Sequence, residues 1–474
     1  MVYQKKLIQL FETWAGEKHL SFIPLPESGS NRKYFRIKSK SKSALGVFNP
    51  DKRENEAFIY LSKHFLKHRL NVPHVYAQKL NENILLIEDL GDTTLFSLLI
   101  NSQGNYSAEQ LTLIKKSLTE LPKFQISGSK KLDYSRCYPR SAFDNQSIMW
   151  DLNYFKYYFL KLSGINFDEQ KLEEDFKAIT KYLFSADKNY FMYRDFNTRN
   201  IMVSDNRFYF IDYQGGRKGP LQYDIVSFLY SSKLNFSEEL RTKLLEHYLE
   251  SVSFYKKISK QEFLKYYYEF ALIRILQMLG AYGYRGYFEG KAHFLTSIPL
   301  AINNLKSVIN KNRIKLNLPE LMRCLNDITR REKFTGLAKP TTSGNKLTVR
   351  INSFSYRDKI PTDFTGNGGG FVFDCRAIPN PGRLEQYKPL TGKDKSVQKF
   401  LESQPEVNKF LKESFDIVEQ SVVNYTQRGW TDLMVNYGCT GGQHRSVYCA
   451  VKLSEFLKRK YDINILLTHT KLNR

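Results

Sequence analysis

Asp195 and Asn200 stand five residues apart in the segment MYRDFNTRNIMV (192–203), and Asp212 follows in FYFIDYQ after a short hairpin pattern. Phosphoryl transfer from a nucleotide needs one carboxylate near the attacking hydroxyl and oxygen ligands that hold Mg²⁺ against the β and γ phosphates. These three residues supply both. The plainer reading makes Asp195 and Asn200 ordinary loop and turn formers. A second constellation is the run Cys439, Thr440, Gly441, Gly442, Gln443, His444, Arg445, which ends a strand-like DLMVNYG and opens a helical SVYCAVKLSEFL. A loop of small residues feeding a helix N-terminus aims backbone N–H groups and a positive dipole at one point, as an oxyanion or phosphate site requires. Arg445 adds a charge-assisted fork and His444 a further donor. A tight turn with glycines for close packing is the alternative.

The elements that would position these residues fall into two sets. Over the first ~100 residues KYFRIKSK and SALGVF read as strands, NEAFIYLSKHFLKHRL has helical period, and NILLIEDLGD is a strand running into a polar turn. From Tyr106 to Leu183 the pattern is largely helical. NYFMYRDF and RFYFIDY then read as strands, and helices return from Leu221 to Leu325. A small β-rich lobe (about 1–100) followed by a large α-rich lobe (about 101–334) is the order of an α+β, protein-kinase-like fold. TGLAKPTTSGNK (335–346) has the composition of a linker. Beyond it KLTVRINSFSY, GFVFDCR, DLMVNYGC and INILLTHT read as strands alternating with two long helices, which predicts a smaller α/β domain with a mostly parallel sheet over 347–474.

Composition bounds the rest. The chain has 474 residues, with 31 Tyr and 34 Phe, which excludes a disordered tail or low-complexity scaffold. Lys and Arg number 72 against 48 Asp and Glu, a net charge of +24 that favours phosphorylated or polyanionic partners, RNA among them, or serves solubility alone. No apolar run approaches the ~18 to 20 residues of a membrane span, and MVYQKKLIQLFETWAG is an amphipathic pattern without a signal-peptide core. The five cysteines (137, 324, 375, 439 and 449) are odd in number and scattered, so they predict neither a disulfide framework nor paired zinc ligands. A cytoplasmic protein without membrane attachment is expected.

The D-x-x-x-x-N spacing followed by a strand ending in Asp resembles the catalytic loop and metal turn of protein kinases and aminoglycoside phosphotransferases. YRDFNTRNIMV, IDYQGGRKGPLQYDIVSFLY, VPHVYA with LLIEDLGD, and RILQMLGAYGYRGYFEGKAHFLTSIPLAINNL together look like the anomeric amino-sugar kinases of the aminoglycoside-phosphotransferase superfamily, over about residues 25–305. The resemblance implies ATP and Mg²⁺ as cofactors and the C1 hydroxyl of N-acetylmuramate or N-acetylglucosamine as acceptor. It implies Asp195 as base, Asn200 and Asp212 as Mg²⁺ ligands, Arg199 near the phosphates, and Asp224 as a carboxylate steadying the catalytic loop. Ser28, Gly29, Ser30 and Arg32 would lie at the nucleotide, and Glu88, Asp89 and Leu90 at the adenine. Two departures stand out: the loop PESGSNRKYFRI has the single Gly29, and the strand ALGVFNP has no Lys where protein kinases hold phosphates, Asn49 standing in that region. Arg32, Lys33 or Arg36 would supply the charge, with Glu54 or Glu56 as partner. Asp151, Tyr154, Arg285 and His293 are candidate sugar contacts.

At the second constellation two functional readings stay open. C-x5-R followed by Ser is the spacing of cysteine-dependent phosphatases, with Cys439 as nucleophile and Asp374 as the acid candidate. The longer resemblance, carried by INSFSYRD, FVFDCRAIPNPG, LTGKDKSVQKFLESQPEVNKFL and NYGCTGGQHRSV, is to the C-terminal domain of the RNase adapter RapZ. It implies a pocket for an amino-sugar phosphate, a contribution to RNA binding, and self-association. The loop 440–445 would hold the phosphosugar, faced by Asp374, Arg376 and Asn380, with Gln443 in place of a common Lys. Lys452, Lys458, Arg459 and Lys460 would form a basic helix end, either facing RNA or simply solvated. The leading expectation is a sugar kinase with a hexosamine-phosphate-binding domain. The alternative is a pseudokinase-type adapter that binds nucleotide and RNA or a protein partner.

Overall fold

Alternating apolar residues in KYFRIK and SALGVF place one face of each strand inward, and a sheet forms around them. The strands are β1 (Ser21–Pro24), β2 (Lys33–Lys38), β3 (Ser43–Phe48), β4 (Val75–Lys79) and β5 (Ile84–Ile87), all antiparallel in the order β1-β2-β3-β5-β4. Phe35, Ile37, Ala44, Ile84 and Leu86 pack under Leu7, Leu10 and Phe11 of the helix Val2–Ala15. On the other face Val47, Leu85 and Ile87 meet Ile59 of the helix Lys52–Lys67. That helix starts where the Asp51 side chain accepts the Glu54 N–H, an N-cap that sets Glu54 in the first turn.

This computed structural model describes residues 2–26, 31–102, 104–205, 207–310, 313–331, 334, 346–361, 363 and 370–472. Ser28, Gly29 and Ser30 of the expected nucleotide loop, and the expected linker except Lys346, lie outside the described residues. The chain divides into two units, residues 1–284 with 297–337, and residues 285–296 with 338–474.

After the sheet the first unit is helical. Its helices Ala108–Pro122, Asn145–Phe155, Glu169–Phe184, Leu221–Leu229, Glu238–Ser253 and Lys260–Gly283 surround two short ribbons. One pairs β6 (Tyr190–Met192) with β9 (Arg217–Gly219), the other β7 (Ile201–Ser204) with β8 (Arg207–Phe210). Ribbons this short hold only through packing, and Phe191, Met192 and Phe210 are buried. The helix Lys260–Gly283 is apolar nearly all round because it runs through the middle of the lobe. A Cβ on Gly283 would stand 2.0 Å from the Tyr158 carbonyl oxygen, so only glycine admits this close approach. The strand expected through NYFMYRDF stops at Met192, because Arg194 turns into the left-handed region at φ 79°.

The second unit contains β10 (Thr348–Ser355), β11 (Gly370–Asp374), β12 (Asp432–Cys439) and β13 (Asn464–His469), in the order β11-β12-β10-β13. Every described pair is parallel. Val349, Ile351, Leu433, Val435 and Tyr437 form its core with Val397, Leu401, Val418, Val422, Leu453 and Leu457. The last six come from the helices Lys395–Glu402, Pro405–Gln427 and Arg445–Lys460. β10 and β12 are neighbours whose chains continue toward opposite edges of the sheet, and ligands of open parallel sheets bind outside strand ends of that kind.

Candidate functional site

The loop between β6 and β7 carries Asp195 and Asn200, and it is braced from below. Asp224, fully buried on the helix Leu221–Leu229, accepts the N–H groups of Tyr193 (2.8 Å) and Arg194 (2.9 Å) and the Gln125 amide (2.9 Å). Burial pushes Asp224 up to about 7, against the pull of these donors. Gln125 sits in a wide helical turn, Lys123–Ser127, and also accepts the Tyr248 hydroxyl at 2.6 Å. Asp224 therefore touches the loop backbone at two consecutive N–H groups.

Two arginines shape the surroundings of Asp195. Arg194 donates to both oxygens of Asp151, Nη1 at 2.9 Å and Nη2 at 2.6 Å, and Tyr223 donates to the same carboxylate at 3.2 Å. Asp151 is buried in this pair, so its expected place as a sugar contact is corrected: its carboxylate is engaged by its own chain. Arg274, buried on the helix Lys260–Gly283, donates from Nη2 to Asp195 Oδ1 at 3.2 Å and from Nε to Ser227 Oγ at 3.0 Å. Asp195 keeps 47% of its side chain exposed, as a base that must reach a substrate requires. Of the other sugar-contact candidates, Tyr154 packs edge-on against Tyr158 and Arg285 lies over the Phe294 ring; the His293 side chain lies outside those described.

The metal side is a cluster of oxygens. Asn200 donates to the Asp195 carbonyl at 2.9 Å and to Asp212 Oδ2 at 3.3 Å. Asp212 sits at φ 66°, a strained conformation for a non-glycine residue, and burial raises its carboxyl above the usual range while Arg32 opposes that shift. Its Oδ1 accepts from Arg32 Nη2 at 3.0 Å and from the Gln214 amide at 2.7 Å. Gln214 Oε1 is buried and has no hydrogen-bond partner among the described residues. A carboxylate, a side-chain amide oxygen and an orphaned amide oxygen form the hard, incomplete donor set that Mg²⁺ takes when phosphates and water complete its shell. The residues fit the ion. Among the described residues no group of three Asp, Glu, His or Cys could hold a metal unaided.

Arg32 also reaches Glu54 Oε1 at 3.5 Å, and Asn49 donates to Glu54 Oε2 at 2.7 Å. Of the cations expected to replace the strand lysine, Arg32 is the one at the site, and Glu54 rather than exposed Glu56 is its partner. Lys33 lies over the Tyr3 ring. Arg36 is excluded for a physical reason: its guanidinium forks onto Asp89 at 2.8 and 3.0 Å and also bonds Asp92 at 2.8 Å. The segment Glu88 to Leu90 is thus tied to β2. Asp89 accepts Ser43 Oγ as well, Leu90 is buried, and the Glu88 N–H donates to the His74 carbonyl at 2.9 Å. That strand-pairing bond takes the Glu88 N–H away from the expected adenine contact. Arg199 lies 3.9 Å over the Phe96 ring, and its charged or polar neighbours are Tyr282 and Lys233 rather than Asp212. Arg274, Gln214 and Gln125 were not anticipated. The one available signal was Arg274 itself, a lone charge inside the apolar run FALIRIL.

In the second unit a cleft of about 200 Å³ opens at the ends of β10 and β12. Arg357, Asn380, Cys439, Thr440, Gly441, Gln443, His444 and Arg445 line it. Arg445 is buried; Nη1 donates to the carbonyls of Arg376 (3.1 Å) and Ile378 (3.0 Å), while Nε has no acceptor among the described residues. An orphaned buried donor beside a helix N-terminus suits an oxyanion. Gln443 donates to the carbonyls of Lys388 and Leu390, and the His444 ring lies 2.8 Å from the Tyr387 carbonyl, so both fasten the 387–390 segment to the loop.

Three expected members take other places. Gly442 is at φ 69° and donates its N–H to Cys439 Sγ at 3.2 Å, away from a ligand. Asp374 and Arg376 pair with each other at 2.7 Å and are not among the residues that line the cleft. Asp374 is therefore not placed to act as the acid of a phosphatase, and Cys439 is buried with Ser446 Oγ 3.1 Å from its sulfur. On the helix Arg445–Lys460, Lys452 pairs with Glu402 at 2.8 Å and Lys460 with Glu419, as on a solvated face.

The sequence profile of the phosphotransferase enzyme family matches residues 21–257, and that of the RapZ C-terminal domain matches residues 347–473. Nucleotide-binding protein YvcJ of Bacillus subtilis (strain 168) is 35% identical over 134 residues, 28% of this chain and 43% of the relative. A nucleotide-binding protein of Polynucleobacter necessarius subsp. necessarius (strain STIR1) is 39% identical over 120 residues, 25% of this chain and 39% of the relative. The chain thus spans about two fifths of the length of these curated relatives. Among solved structures, choline kinase LicA from Streptococcus pneumoniae aligns at 14% identity over 65% of this chain and 100% of its own, with TM-score 0.43. Amicoumacin kinase hAmiN, in complex with AMP-PNP, Ca²⁺ and Ami, aligns at 11% identity over 63% of this chain and 91% of its own, with TM-score 0.46.

Proposed function

The chain belongs to the phosphotransferase enzyme family and carries a RapZ C-terminal domain, and from that premise we propose that its first unit transfers the γ-phosphoryl group of ATP to the anomeric hydroxyl of an N-acetylated amino sugar. Asp195 accepts the proton of the attacking hydroxyl, and Arg274 holds that carboxylate in place. Asn200, Asp212 and Gln214 Oε1 would hold Mg²⁺, which would supply charge neutralisation at the β and γ phosphates. Arg32 stands where its guanidinium serves the phosphates in place of the strand lysine, kept there by Glu54 and Asp212.

The observation that carries this reading is Arg32 meeting Asp212 at 3.0 Å and Glu54 at 3.5 Å. A cation bridging the metal carboxylate and the helix Lys52–Lys67 answers the departure that would otherwise favour a catalytically silent domain. The second unit binds a hexosamine phosphate in the cleft beside Arg445, with the phosphate on the Thr440–Arg445 loop. Five buried free cysteines suit a reducing cytoplasm, and no described helix is long and apolar enough to cross a membrane. The test is incubation of the full chain with ATP, Mg²⁺ and a panel of N-acetylated amino sugars, with ³¹P NMR of the products; a new C1 phosphate supports the reading and an unaltered spectrum rejects it.

The competing reading, an adapter that binds nucleotide and RNA, draws on the net charge of +24. It requires RNA affinity that falls steeply with salt. Weak binding with a flat salt dependence would remove it.

A further inference from the structure

A chain of hydrogen bonds closes the start of the helix Lys52–Lys67 and ends at the metal carboxylate. Asn49, buried just after β3, accepts the Asp51 N–H at 3.1 Å through Oδ1 and donates from Nδ2 to Glu54 Oε2 at 2.7 Å. Its carbonyl accepts the Asn55 amide at 3.0 Å, and Asp51 Oδ1 accepts the Glu54 N–H at 3.1 Å. Glu54 Oε1 faces Arg32 Nη2 at 3.5 Å, and the same nitrogen bonds Asp212 Oδ1 at 3.0 Å. Both Glu54 oxygens are thereby engaged, one by this turn and the other by the cation. The place of Arg32 depends on how firmly the first turn of the helix is held.

One bond of the set leaves the helix. Asp51 Oδ2 accepts the Tyr138 hydroxyl at 2.7 Å, across 87 residues of chain, and the Arg53 guanidinium lies 5.0 Å over the Tyr138 ring. The segment that carries Tyr138 is anchored further on. The Lys218 N–H donates to the Ser141 carbonyl at 3.0 Å, the Phe143 N–H donates to the Lys218 carbonyl at 2.7 Å, and Asp144 caps the helix Asn145–Phe155. That helix holds Asp151, the partner of Arg194 beside the catalytic loop. Tyr138 is therefore a post set in the helical lobe. A carboxylate gripped at each oxygen by a separate donor has one orientation; released at Oδ2, Asp51 can turn about its Cβ–Cγ bond, and a cap that turns lets the first turn fray.

We infer that Tyr138 is a positioning residue for the nucleotide: its hydroxyl locks Asp51, the locked cap holds Glu54, and Glu54 holds Arg32 toward the phosphates. This rests on the kinase reading above and adds to it a residue of the helical lobe that acts on the nucleotide through three others. A bond that served stability alone would leave the affinity for ATP untouched when the hydroxyl is removed.

The test is a double-mutant cycle on the KM for ATP in the full chain, built from Tyr138→Phe, which deletes one hydroxyl and keeps the ring, Glu54→Gln, and the two together. Tyr138→Phe raises the KM for ATP about threefold to tenfold while kcat stays within about twofold, because Arg274 holds Asp195 independently. In the Glu54→Gln background the same substitution adds little, since the link it acts through is already loosened. Asp51→Ser, an N-cap too short to reach the hydroxyl, reproduces the rise without a change at Tyr138. An unchanged KM in Tyr138→Phe, or an effect that multiplies in full with that of Glu54→Gln, overturns the inference. So does a loss confined to kcat. Should no sugar be phosphorylated, the kinase reading fails, and calorimetric titration with ATP and Mg²⁺ still decides the positioning role: weaker binding by Tyr138→Phe than by wild type supports it, and equal binding, or none by either protein, overturns it.

Discussion

Arg274 and Asp195, 79 residues apart in the chain, meet with Nη2 of the guanidinium 3.2 Å from Oδ1 of the carboxylate. A buried cation on a central helix thus fixes the rotamer of a half-exposed base. The arrangement separates positioning from chemistry: one residue reacts, and the other holds it still.

Arg274→Met is expected to lower kcat about tenfold to a hundredfold, because a base misplaced by an ångström loses about that much. The KM for ATP should move far less, since Arg274 bonds Asp195 whereas Arg32 bonds Asp212. Steady-state kinetics with circular dichroism as a fold control checks both. Equal losses in kcat and in ATP affinity would place Arg274 at the nucleotide.

Arg32→Ala removes the bridge between Asp212 and Glu54 and should raise the KM for ATP about tenfold or more, while Arg32→Lys recovers part of it. Arg32 and its partners are largely shielded from water, so the alanine variant should also unfold more easily, by about 1–3 kcal/mol. Nucleotide titration and thermal unfolding of the two variants read these effects.

Asp224 gives the first unit a pH dependence. Its folded value, about 7, is above the ordinary 3.8, so between those values the folded state binds more protons than the unfolded one. The stabilisation is present in full below about pH 4 and is lost as pH rises through about 7, on the order of 4 kcal/mol. Urea unfolding of the first unit at pH 5 and pH 8 should show lower stability at pH 8. Asp224→Asn, which cannot ionise, should flatten the difference while costing stability at both values.

Arg445→Met strips the carbonyls of Arg376 and Ile378 of their donor and should destabilise the second unit by about 2–4 kcal/mol. Phosphate-ester binding in the cleft should fall with it. Arg357→Gln, which removes a cation from the cleft rim, tests the cleft without touching those carbonyls. Weaker binding of glucosamine 6-phosphate by Arg357→Gln, at unchanged thermal stability, is the expected result.

The residues that sequence reading found at the first site are those whose geometry is local. Asp195, Asn200 and Asp212 are linked by a single turn and one hairpin, so spacing alone carries their arrangement. Arg274, Gln125 and the Arg194–Asp151 pair depend on helices that return to the loop from far along the chain. The choice between Arg32 and Arg36 depends on the sheet, where Arg36 on β2 is drawn to Asp89 at the end of β5, and strand alternation by itself says nothing of that partner. Aromatic periodicity was uninformative for sugar contacts, because core packing produces the same three- and four-residue spacing. In the second unit the strand, loop and helix run was legible, yet Gly442 and Asp374 turned elsewhere through backbone dihedrals and a neighbouring arginine.

The central claim is that Asp195 is the base of an ATP-dependent sugar kinase. The most direct measurement compares wild type and Asp195→Asn in ³¹P NMR assays with ATP, Mg²⁺ and N-acetylated amino sugars. The account predicts a sugar C1 phosphate from the wild type, formed at least about a hundredfold more slowly by the variant, with both proteins folded and binding ATP alike. Equal rates from the two proteins, or no sugar phosphate from the wild type, would contradict it.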